Sequence, residues 1–349
     1  MEKFKAFLKR KDIEISLKRY GIDALGAMAQ GLFCSLLIGT IINTIGTQFH
    51  IPFLTMAVAT VNDTQYTVGS LASAMSGPAM AVAIGYALHC PPLVLFSLIT
   101  VGFASNALGG AGGPLAVLFV AIVAAEIGKA VSKETKIDIL VTPLVTIGVG
   151  VGLSAWWAPA LGKAAMKVGS VIMWATDLQP FFMGIIISVV VGVVLTLPIS
   201  SAAICAAVGI SGGAVIAGVV DGSISMEVWN GLALAGGAAT VGCCCNMLGF
   251  AVISYPDNGV GGLVAQGLGT SMLQVPNLMR KPVLWIPPVL TSAILGPVAT
   301  CIFQLRNNGA AISSGMGTAG LVGPIGIITG WSNMPKGYAP GAFDWVGMI

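Results

Sequence analysis

Apolar runs of about 20 residues follow one another along most of this chain, and that is the length a helix needs to cross a hydrocarbon core about 30 Å thick. Candidate spans fall near 24–46, 68–89, 91–105, 114–130, 139–158, 181–199, 201–220, 229–254 and 283–305. Composition leaves no soluble alternative. Only 8% of the 349 residues are charged, against about 25% in ordinary soluble domains. The pattern predicts an all-α, polytopic integral membrane protein of about 8–10 transmembrane helices.

The sparse charge is unevenly placed. Of 16 basic residues, seven lie in the first nineteen positions: Lys3, Lys5, Lys9, Arg10, Lys11, Lys18 and Arg19. With Phe4, Phe7, Leu8, Ile13, Ile15 and Leu17 among them, residues 1–20 read as a basic amphipathic segment on the anionic cytoplasmic leaflet, not as a cleavable signal. The linker 129–138, with Lys129, Lys133 and Lys136, falls on the same side if the first four spans alternate. The connection holding His50 and Asp63 has no lysine or arginine and faces outward. Lys163 and Lys167 do not fit that alternation. The expected location is therefore the cytoplasmic membrane, with the N-terminus inside. A net charge of +3 offers no broad basic face, so nucleic acid is not an expected partner.

Composition changes near residue 178. The expected organisation is residues 1–20 as the cytoplasmic segment, 21–178 as a scaffold and dimerisation domain, and 179–349 as a substrate domain rich in glycine and amides. Within the scaffold, 159–177 reads as an interfacial stretch.

The C-terminal half repeats itself at a shift of 48 residues. Gly267, Gly269, Thr270, Leu273 and Pro276 superimpose on Gly315, Gly317, Thr318, Leu321 and Pro324. Both copies lie in glycine-rich, weakly hydrophobic stretches that make poor spanning helices. They are expected to form two re-entrant hairpins, near 257–277 and 307–325. Non-helical backbone at membrane depth needs protein or a water-filled cavity around it, and paired interrupted segments point to a transporter's substrate site. The competing reading is that the glycines serve close helix packing.

A broken helix leaves N–H groups free to meet anions and hydroxyl oxygens. The side chains nearby are amides and hydroxyls, which suit a small polar, sugar-like solute better than a metal or a bare cation. The candidate substrate-binding residues are Asn106, Asn246, Asp257, Asn258, Gln266, Ser271, Gln274, Asn277, Ser314 and Thr318. Asp257 also reads as part of a Pro-Asp-Asn-Gly turn.

Other polar groups read more plainly. Glu126 is expected to pair with Lys129 at an interface, Asp221 and Glu227 to flank a solvated loop, and His50 and His89 to lack a carboxylate neighbour. Cys243, Cys244 and Cys245 point in three directions on a helix and read as packing residues. No zinc spacing, P-loop, nucleophile elbow or HExxH motif is present, so no cofactor, no metal and no catalysis by this chain alone are expected.

Residues 105–114 (SNALGGAGGP), 139–145 (ILVTPLV) and 282–288 (PVLWIPP) resemble the membrane component, EIIC, of the phosphoenolpyruvate-dependent sugar phosphotransferase system, and more narrowly its stand-alone branch of perfringolysin-regulator type. The resemblance covers nearly the whole chain. It implies a homodimer in which early helices hold a mobile substrate domain with two re-entrant hairpins. It also implies that any phosphoryl transfer comes from separate EIIA and EIIB proteins. Where sugar-transporting members place a glutamate in the first hairpin, this chain offers Gln266 and Gln274. The expected function is an EIIC-like permease for a small polar solute. The alternatives are a membrane sensor that binds such a solute and signals to a cytoplasmic partner and, more remotely, an ion channel.

Overall fold

The computed structural model describes residues 2–331 and Pro335, with side chains from Lys5 onward. The rest of the expected substrate domain, 332–349, otherwise lies outside the described residues. Helix α1 (Glu2–Arg10) precedes the long α2 (Arg19–Gln48). An antiparallel hairpin follows, with β1 (Ala59–Val61) pairing Ala59 to Tyr66 and Val61 to Thr64 of β2 (Thr64–Tyr66). It turns through Asn62 and Asp63, both at positive φ, as a two-residue hairpin of right-handed twist requires.

The rest is helical. It comprises α3 (Val68–Ala74), α4 (Ser76–Ala87), α5 (Pro92–Gly109), α6 (Gly113–Val131) and α7 (Asp138–Thr176). Then come α8 (Pro180–Thr196), α9 (Ser201–Val208), α10 (Gly212–Val220) and α11 (Met226–Ile253). The chain continues through α12 (Tyr255–Val264), α13 (Val275–Arg280), α14 (Pro282–Ile302) and α15 (Val322–Gly330). Local chemistry sets several starts. Thr67 and Ser70 form a reciprocal capping box on α3, and proline occupies the first turn of α5 and α8, where no N–H partner is needed.

Among the described residues, six helices are long and apolar enough to cross a membrane, or seven if α3 and α4, bent by 51°, count as one. One of these stretches, Pro92–Val131, folds back at Gly110 (φ 51), so that α5 and α6, of 18 and 19 residues, pack side by side. Each is about one hydrocarbon core long. The chain is a multi-pass, all-α membrane protein.

It divides into two compact units, Met1–Ala164 with Leu273–Pro282, and Ala165–Met272 with the described residues from Val283 on. The division falls inside α7, whose 39 residues carry Pro143 and Pro159 in their interior. The stretch 159–177, expected along the interface, instead continues this helix. Proline deletes single hydrogen bonds, but in a membrane helix neighbouring groups can satisfy what it frees.

In the first unit α2 packs on α3 and α4, α4 on α5, and α5 on α6. Gly77 and Gly102 face each other, and a Cβ on either would collide with the carbonyl of the other. The second unit is centred on α8, α11 and α14. There Gly242 lies against the Ser188 carbonyl and Gly296 against that of Gly184, with no room for a methyl group at either. Backbone-to-backbone contact of this kind is how small residues drive association in hydrocarbon, where side-chain hydrophobicity gives no preference between helix and lipid.

Gly242→Ala should therefore push α11 off α8 and destabilise the second unit by roughly 1–3 kcal/mol, seen as a lower melting temperature in detergent. Gly231→Ala on the same helix, where nothing lies within 4 Å, should leave it unchanged. Equal melting temperatures for the two variants would refute the packing argument.

Candidate solute site at two broken helices

Neither copy of the repeat is a continuous helix. After α11 and Ser254, α12 is interrupted at Gly259 (φ 57), widens into a π turn at Ala265–Gly269, and stops at Thr270, which is extended. A 3-10 turn, Ser271–Gln274, leads into α13. In the second copy a single helical turn, Ala311–Ser314, gives way to Gly317 (φ 51), then to a 3-10 turn, Ala319–Leu321. Gly320 and Leu321 there both have positive φ, and α15 then begins. The π turn of the first copy packs against the 3-10 turn of the second. The repeated segments thus break and meet, within the second unit.

Helix α11 backs both. Its Cys243 leaves no room for a Cβ on Gly317, its Met247 receives the Thr318 hydroxyl at 3.5 Å, and Leu248 lies 3.5 Å from where a Gly267 Cβ would be. The cysteines are packing residues here, as expected. Among the described residues no group of three or more His, Cys, Asp or Glu side chains could hold a metal.

The candidate residues divide by position. Gln266 is buried, and its Nε2 donates to Ser254 Oγ at 2.8 Å while Oε1 has no partner among the described residues. Ser271 is bonded through Oγ to Thr196 Oγ1 at 2.8 Å, which ties the tip to α8. Ser314 is fully buried, and its hydroxyl has no partner among the described residues. Thr318 stands beside the turn where the two copies meet, whereas Ser314 lies farther back along α11, its Oγ 2.9 Å from where a Gly236 Cβ would be.

Asn246 lies apart from them, at the crossing of α11 with α8 and α14. It donates to Gly242 O at 3.1 Å and to Ser292 Oγ at 3.2 Å, and its own carbonyl oxygen has no partner among the described residues. Asp257 and Asn258 are exposed at the start of α12. Gln274 and Asn277 bond to each other at 2.8 Å on the segment that belongs to the first unit. Asn106 is also in the first unit, where its Nδ2 donates to Ser76 Oγ at 3.4 Å.

Two residues outside the candidate set organise the second copy. The fully buried Asn307 donates to Thr240 Oγ1 at 3.0 Å and Ser313 Oγ at 3.1 Å, and its Oδ1 accepts from Gly309 N at 3.1 Å. Asn308 accepts from Trp229 Nε1 at 2.9 Å. Adjacent amides followed by glycine in an apolar stretch are the signal that would have found them.

A cavity of about 620 Å³ opens along α11 and α14, lined by residues such as Cys244, Leu248, Val252, Pro288, Leu295 and Phe303. Its walls are almost wholly apolar, the wrong chemistry for a polar solute. Elsewhere, Glu126 pairs with Lys129 at 2.9 Å, as its spacing predicted. His89 does have a carboxylate neighbour, Asp12 Oδ2 at 2.9 Å, from a segment far away in sequence.

No curated protein and no solved structure matches the chain. Residues 22–338 match the family model described as "Phosphotransferase system, EIIC". A match over so much of a chain with these membrane helices and paired breaks makes it a member of the phosphotransferase system EIIC family.

Proposed function

We propose that this EIIC-like membrane transporter holds a small, uncharged, polyhydroxylated solute where the two broken segments meet. Gln266, Ser271 and Thr318 supply the hydrogen bonds. In this reading the two segments are re-entrant hairpins, reached from within the membrane-embedded second unit. The observation that carries it is Gln266, an amide anchored at one end on Ser254 while the other end, buried, has no hydrogen-bond partner among the described residues. A buried amide left half-satisfied costs free energy, and a solute hydroxyl would satisfy it. Both segments are neutral, with no Asp, Glu, Lys or Arg in 258–279 or 307–330. That favours a neutral solute over an ion, since charges in a membrane are recognised by opposite charge or coordinated dipoles.

The remainder of the proposal follows the family. The protein works as a homodimer in the cytoplasmic membrane, N-terminus inside, and any phosphoryl group reaches its solute from a separate EIIB-type protein. A second reading, a solute sensor signalling to a cytoplasmic partner, is favoured by one feature. The basic N-terminal segment is not a loose tail but is bonded to the first unit, for example through Arg10 Nη2 to Glu134 Oε1 at 2.7 Å.

Purified protein in lipid vesicles should bind or exchange at least one labelled neutral sugar or polyol from a broad panel. Gln266→Ala should weaken binding by about tenfold, the equivalent of one lost hydrogen bond. Asp221→Asn, in an exposed turn, should have no effect. No binding or exchange of any panel member would overturn the transporter reading. Binding that Gln266→Ala leaves unchanged would move the site elsewhere. Uptake with and without phosphorylated EIIB then separates a phosphotransfer route from simple permeation, and binding without any flux favours the sensor.

A further inference from the structure

Helix α1 ends in a left-handed turn at Asp12 (φ 52), with Asp12 N–H donating to Lys9 O at 3.2 Å and Ile13 N–H to Leu8 O at 2.9 Å. A residue with a Cβ takes that conformation only where surroundings hold it, and Asp12 is held from several directions. Arg19 Nη1 and Nη2 donate to its two carboxylate oxygens at 2.9 and 2.7 Å. His89 Nδ1 lies 2.9 Å from Oδ2. The buried Lys129 donates to the Asp12 carbonyl at 2.8 Å and to Leu88 O at 2.9 Å. Lys11 donates to the Ser132 carbonyl. Residues 10–19 are therefore a strap fixed across the ends of α4 and α6. The Arg19 hydrogen bonds above all keep the Asp12 carboxyl ionised far below the ordinary carboxylate range.

Arg19 also opens a π turn, Arg19–Ala24, at the start of α2. Helix α13 packs on that turn and on the next turns of α2. A Cβ on Gly26 would lie 3.1 Å from Pro276 Cγ, and one on Gly21 3.9 Å from Met279 Cε. Helix α13 is the exit arm of the first broken segment, directly after the tip that carries Gln266 and Ser271. A π turn holds an extra residue relative to the α-helix. Relaxing it into α register would shift the turn by one residue and give the second arrangement that coupling between distant sites requires.

We propose that the strap governs the exit arm: docking of Asp12 on Arg19 fixes the π turn, the π turn fixes α13, and release of the strap frees α13. This rests on the solute reading above for its meaning as regulation of the hairpin, and not for its measurement, which needs no solute.

The test is hydrogen exchange of the full chain in lipid nanodiscs. Asp12→Asn keeps a residue that tolerates the left-handed turn and removes the ionised acceptor. Amide exchange should rise about tenfold in residues 13–25 and, with it, in residues 275–281, the size expected for losing a charge-assisted hydrogen bond. Amides of α8 and α11 should not change. Arg10→Gln, which removes only an exposed pair, should leave 275–281 as it was. Because Asp12→Asn could loosen the whole unit, Gly26→Ala approaches from the other side by crowding Pro276. Reciprocity requires it to raise exchange in residues 8–19 as well as in 275–281. If each variant loosens only its own segment, the coupling is refuted, and if Asp12→Asn exposes amides throughout, the Gly26→Ala result decides. Coupling without binding of any panel solute would overturn the solute site and leave the strap–arm link standing. Binding without coupling would do the reverse.

Discussion

A backbone that leaves helical geometry away from water has to find its hydrogen bonds inside the protein, and residues 303–321 are arranged around that demand. The peptide groups freed there are met by side chains and backbone from other elements. Asn307 O accepts from Gly212 N at 3.1 Å, Ser211 Oγ donates to Gly309 O at 2.6 Å, and Ser201 Oγ donates to Gly315 O at 2.6 Å. The short helices α9 and α10 thus act as a cradle for the second break, while α11 supplies its floor. Without these partners each open N–H or carbonyl would cost several kcal/mol in lipid, and a continuous helix would be the only stable form of the segment.

The glycines serve two ends, at different places. Gly242, Gly192, Gly184 and Gly296 bring α8, α11 and α14 within backbone contact, and a methyl group on any of them meets a neighbouring backbone or side chain. That is packing. Gly259, Gly317 and Gly320 have positive φ and stand at the breaks themselves, where a conformation costly to other residues turns the chain. The two readings of a glycine-rich membrane segment, close packing and interruption, are thus both correct. What separates them is whether the residue sits within a helix against a neighbouring backbone or takes positive φ at a break.

That distinction also marks what the sequence disclosed. Span length and the scarcity of charge are local properties, and they predicted a multi-pass helical protein. The two broken segments were legible because their repeat is a matter of spacing. The contacts that make a site of them were not, because they join residues far apart in the chain. Ser271 meets Thr196, Thr318 meets Met247, and Asn307 meets Thr240. Asn246 shows the limit from the other direction. An amide in a membrane helix had to have a partner, and it has two, but they lie at a helix crossing and not with Gln266. His89 lacked a carboxylate by any rule of sequence spacing and gained Asp12 only because α1 folds back over the end of α4.

The first broken segment has a further property that follows from chain continuity. Its incoming arm and tip, through Met272, belong to the second compact unit, while Leu273–Pro282 belong to the first. Besides α7, which passes from one unit to the other at Ala164 and Ala165, the chain crosses between them through the residues on either side of that arm. These are Thr270, extended and followed by a 3-10 turn, and Lys281, non-helical and followed by a proline that has no N–H to donate. Neither position has a continuous helical ladder to break, unlike the crossing within α7. The broken segment that holds Gln266 is thus also one of those through which the chain passes from one unit to the other.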